Sequence, residues 1–153
     1  MTCTDTRRPA RLIALTAVTA VAAPIAVWWW MGDQSTTTDH PHYMYAPLRV
    51  NPVVELLAGI AATVAPPIAV LLLVRASVTG RLARGWWMVI AAITTATTLV
   101  GYTYRVVTAG VDPEGVDITA GILLLYCYVL IPALLLTAVV AAVRLLRSPR
   151  RSG

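Results

Sequence analysis

The sequence predicts an all-α integral membrane protein, a four-transmembrane-helix bundle with both termini in the cytoplasm. Three observations predict it. First, 58% of the 153 residues are apolar, well above the roughly 45–50% of soluble domains. Second, charged residues make up only 12% of the chain and are excluded from four long stretches, as expected when an ionised group at the bilayer centre costs about 2.5–3.5 kcal/mol. Third, when those stretches are laid across a membrane, the arginines segregate to one side.

The predicted spans are residues 12–31, 53–74, 86–107 and 118–143. Each matches or exceeds the ~20 residues that cross a ~30 Å hydrocarbon core. Between them lie outer loops at 32–52 and 108–117 and a cytoplasmic connection at 75–85. Little chain is left over, so residues 1–153 read as a single membrane domain. The first span has a basic start (Arg7, Arg8, Arg11), which a signal peptide also has. Its apolar run continues past Pro24 to Trp28–Trp30, longer than the usual 7–15 residue signal core, and reads as a retained anchor.

Orientation follows from Arg7, Arg8, Arg11, Arg75, Arg81, Arg84, Arg144, Arg147, Arg150 and Arg151, which share one side and leave Arg49 and Arg105 opposite. Cytoplasmic loops hold the excess of basic residues. Every acid except Asp5 lies at or beyond the outer boundary. Trp28, Trp29, Trp30, Tyr102 and Tyr104 fall near the outer interface and Trp86 and Trp87 near the inner one, as an aromatic belt requires. Tyr126 and Tyr128 fall inside the fourth span and stand as exceptions. The basic set contains no lysine, a bias of GC-rich codons that points to a bacterial plasma membrane protein. The net charge of +5 reads as topology-setting arginine meeting lipid headgroups, with no nucleic-acid partner.

Residues 54–60 (VELLAGI) and 116–122 (VDITAGI) form a weak repeat. It suggests two tandem helical hairpins in the same orientation. Chance likeness in an Ala-, Val- and Leu-rich chain is the competing explanation. Cys3 and Cys127 lie on different levels of the predicted topology, so no disulfide is expected between them.

Few residues carry candidate chemistry. Glu55, Arg105 and Asp117 lie at the predicted outer mouth. An acid in the first helical turn favours the positive end of the helix dipole, so Glu55 and Asp117 have a structural explanation beside a cation-binding one. An ion pair of Glu55 with Arg105 would join the second and third spans. Thr94, Thr98 and Gly101 recur with Arg105 along one helical stripe beside Thr97, and Glu55, Gly59, Ala62 and Pro66 form a comparable stripe; both are expected to look inward. Membrane threonines commonly bond to their own helix, so packing competes with a polar conduit. Pro24, Pro66, Pro67 and Pro132 predict kinks, because each removes a backbone hydrogen bond.

The outer loop holds His40, His42 and Met44. Imidazole suits zinc and copper, and a thioether suits Cu(I), but a third strong ligand is lacking, so metal is a weak expectation and no cofactor is required. No GxSxG, HExxH or phosphate-cradling glycine loop is present, and the chain is not expected to be an enzyme. The leading expectation is an accessory, scaffold or assembly subunit that packs with other membrane proteins or with itself. A small oligomeric transporter or channel, or an extracytoplasmic metal-binding helper, are the alternatives.

Overall fold

The structure is a computed structural model that describes residues 7–32, 42–43, 45–48, 50–111 and 118–147. Among these residues the chain forms four helices, α1 (Arg7–Met31), α2 (Pro52–Val78), α3 (Trp86–Val107) and α4 (Ile118–Arg147). Two short strands, β1 (His42–Tyr43) and β2 (Gly110–Val111), pair antiparallel.

α3 coincides with its predicted stretch, while the other three helices outrun theirs. α1 begins at Arg7 rather than at residue 12, α2 continues to Val78 rather than 74, and α4 continues to Arg147 rather than 143. Apolar length measures what lipid tolerates, whereas helix length is set by start and stop signals. α2 starts on such a signal: Asn51 is extended, its Oδ1 accepts from the Val53 N–H at 2.9 Å, and Pro52 occupies the first turn, where its missing N–H has no cost. It stops on another. Gly80 has φ +69°, its N–H donates to Ser77 O at 3.0 Å, and the Arg81 N–H donates to Ala76 O at 2.8 Å, the paired bonds of a left-handed glycine cap. The turn drops Leu82 onto Leu73 and Ile90, and Leu73 is fully buried.

The principal helix contacts are α1 with α2, α1 with α3, and α3 with α4. The helices therefore stand in a row, with α1 and α3 in the middle and α2 and α4 on the flanks. Two hairpins packed through their first helices would give this adjacency. The repeated glycines are not equivalent within it: Gly59 is covered by the Trp29 ring, whereas a Cβ on Gly121 would meet nothing within 4 Å.

Small residues make the close approaches. On α2 the buried positions are Gly59, Ala62, Ala69 and Leu73, one helical stripe; of the predicted small-residue face, Gly59 and Ala62 are buried and Glu55 and Pro66 half-buried. On α3, Gly101 lies against the backbone of Pro24. Where lipid surrounds the helices there is no hydrophobic transfer to gain by association, and close packing with interhelical hydrogen bonds holds them together. Near the tight turn, Trp87 Nε1 donates to Ser77 Oγ at 3.2 Å, tying α3 to the end of α2.

Three helices, α1, α2 and α4, are long and apolar enough to cross a membrane, which points to a membrane location. α3 has 22 residues, about 33 Å at 1.5 Å per residue. Its threonines, two tyrosines and Arg105 make it less apolar than α2 and α4. It is also the helix that packs on both α1 and α4.

Candidate functional site

Glu55, Arg105, Trp28, Trp29, Trp30, Tyr102 and Tyr104, singled out in the sequence, lie at the end of the bundle that carries the two long connections, 32–51 and 108–117. α1 ends there with three consecutive tryptophans, and successive side chains on a helix are turned by about 100°. The result is one side chain turned to α3 and two turned to α2. Trp28 faces α3, where the Arg105 guanidinium lies over its ring at 5.6 Å from the centroid. Trp29 lies on Gly59 of α2. Trp30 Nε1 donates to Thr63 Oγ1 at 2.8 Å, and Thr63 in turn donates to Gly59 O at 2.8 Å.

Arg105 is fixed a second time. Past Met31 the chain turns left-handed at Gly32 (φ +61°), whose N–H donates to Trp29 O at 3.2 Å. The turn presents the Gly32 carbonyl to α3, and Arg105 Nε donates to it. These contacts run to α1, not to Glu55, because α1 stands between α2 and α3 in the row. Glu55 is half-buried in the first turn of α2, and its N–H donates to Asn51 O at 2.9 Å.

The α3 stripe is only partly enclosed. Gly101 is buried, while Thr94, Thr97 and Thr98 are half-buried. Thr97 donates to Thr94 O at 3.0 Å, so it closes on its own helix. The same habit recurs at Thr16, Thr19, Thr108 and Thr137, each bonded to a carbonyl one turn back. Buried Thr103 instead crosses to α4 and donates to Cys127 Sγ at 2.9 Å.

Several of these contacts carried no signal in the sequence. The tryptophans read as an interfacial belt, yet Trp29 and Trp30 also bind α2. Nothing in the loops announced the ladder of His42 with Val111 and Tyr43 with Gly110, continued by the Tyr45 N–H donating to Val107 O at 3.3 Å. The ladder anchors the first long connection to the end of α3. Asp117, His40 and Met44 lie outside the described residues, and His42 is described only in its backbone. The one thiol described, Cys127, is buried and receives a hydroxyl proton rather than facing a base. Among the described residues these contacts join helices to one another.

No protein-family model matches this chain, and no curated protein or solved structure matches it.

Proposed function

We propose that this chain is a four-span protein of a bacterial plasma membrane, with both termini cytoplasmic, that works without catalysis as an accessory, scaffold or assembly subunit packed against other membrane proteins or against itself. The observation that carries the reading is the row. α2 has its principal interface with α1 alone and α4 with α3 alone. Ile60, Val64, Ile68 and Leu71 on α2, and Leu125, Val129, Leu136 and Val139 on α4, are exposed. Lipid covers such faces in any membrane helix. α4 also exposes Gly121, Pro132, Ala133 and Thr137, residues small or rigid enough for another helix to approach closely.

The orientation rests on the arginines. Arg11, Arg75, Arg81, Arg84, Arg144 and Arg147 are all near the end with the tight 79–85 turn, the cytoplasmic end by the positive-inside rule. The lipid bilayer is then the first partner, and no nucleic acid is involved. α3, which is not among the three helices apolar enough to cross by length and composition, packs on two helices, which is how a more polar helix is carried in a membrane.

The test is photocrosslinking in native membranes from residue analogues at Ile68 and Leu136. The reading expects discrete protein adducts from at least one flank. Lipid adducts alone from both flanks would overturn it. A small transporter would need a polar path. The α3 stripe gives such a path little support, since Thr97 closes on its own helix and Pro24 fills the space at Gly101.

A further inference from the structure

We propose that the outer hydrocarbon boundary lies at a collar formed by Trp30, Tyr102, Tyr126 and Tyr128, gripping the lipid ester and headgroup region, so that the first turns of α2 and α4 stand beyond the hydrocarbon. The inference rests on the membrane reading above and places it in depth.

Thr103 donates to Cys127, which puts these two residues at one level. Tyr126 and Tyr128 flank Cys127 and are 63% and 82% exposed. Their partners in level are Tyr102, exposed on α3, and Tyr104. Arg105 reaches Gly32 and Trp28, which brings the end of α1 to the same level, where Trp30 is 72% exposed. Three helices therefore present amphipathic rings at one height. Such rings collect where an apolar body meets a polar surface. At the other end Trp86 and Trp87 open α3. From Trp86 to Tyr104 is 18 residues, about 27 Å of helix, close to the ~30 Å of a hydrocarbon core.

The flanking helices exceed that span. Trp29 and Trp30 set Gly59 and Thr63 at the collar, so α2 continues from Gly59 back to Pro52, about 10 Å further. α4 continues from Cys127 back to Ile118, about 13 Å further. Val54, Leu57, Ile118 and Ile122, all exposed, are then outside the core, and Glu55 with them. The candidate mouth becomes a rim above the membrane rather than a site within it.

The experiment compares four introduced cysteines in nanodiscs, Val54→Cys and Ile122→Cys beyond the collar against Ile68→Cys and Leu136→Cys between the collars. All four native side chains are about half exposed or more, so only depth separates them. They are placed in a Cys3→Ser background, with the parent carrying buried Cys127 as the reference. A polar maleimide is expected to label the deep pair at least about tenfold more slowly, because the reactive thiolate does not form in hydrocarbon. Equal slow labelling of all four would overturn the collar while leaving the membrane reading in place. Equal fast labelling would overturn both. Two positions per level on different helices keep the outcome independent of any one variant's folding.

Discussion

Gly101 of α3 lies so close to Pro24 of α1 that a Cβ built on the glycine would fall 2.6 Å from the Pro24 Cα. The obstacle is backbone, which cannot rotate away. Pro24 also lacks the N–H that would have bonded within α1, so a helix already missing a bond is braced against the one residue type that admits it. Gly101→Ala is expected to lower stability by about 1–3 kcal/mol, the usual cost of overpacking. Gly121→Ala, with open space around it, is expected to leave stability unchanged or raise it by up to about 1 kcal/mol through helix propensity. Thermal unfolding of the two variants in one detergent compares them directly.

The Trp30 to Thr63 hydrogen bond joins α1 to α2. In a double-mutant cycle of Trp30→Phe and Thr63→Val, a coupling near 0.6 kcal/mol is expected, as for other interhelical bonds in membranes. A coupling of zero would mean that the bond does not contribute to the α1–α2 interface.

Arg105 is held by α1, so its energetic partner is predicted to be Trp28. Trp28→Leu combined with Arg105→Gln should show a coupling of about 0.5–1 kcal/mol, the range for a partly exposed cation over an aromatic face. Glu55→Gln combined with Arg105→Gln should be additive. Charge exchange between positions 55 and 105 should likewise rescue nothing.

The tight turn depends on a left-handed residue. Gly80→Ala is expected to cost about 1–2 kcal/mol, the penalty of that conformation for a residue with a Cβ, and to loosen Leu82 from Leu73 and Ile90. Chemical denaturation of the variant in mixed micelles checks the size of the effect.

Much of the fold was legible because lipid imposes a coarse rule on sequence. An apolar stretch of spanning length must become a helix, and Gly59, Ala62 and Gly101 could be read as approach points since small residues are what close packing needs. Which helix each would approach was not legible. Nothing in periodicity says that α1 stands between α2 and α3, so an ion pair of Glu55 with Arg105 looked as natural as the contact of Arg105 with Trp28 and Gly32. Tyr126 and Tyr128 looked misplaced because nothing in the sequence of α4 gives its height relative to α3. The pairing of Thr103 with Cys127 shows that α4 begins above α3. The β1–β2 ladder was hidden for a different reason, as two-residue strands leave no periodic trace.

The central claim is that all four helices cross the membrane, and α3 is where it is most exposed to failure. The most direct measurement is a reporter fused after residue 114, between α3 and α4, with a second fusion after residue 80 as its reference. The account predicts that alkaline phosphatase is active at 114 and inactive at 80, placing the two sites on opposite sides of the membrane. Inactivity at both sites, with a green fluorescent protein bright at both, would put α3 wholly on the cytoplasmic side and contradict the four-span topology.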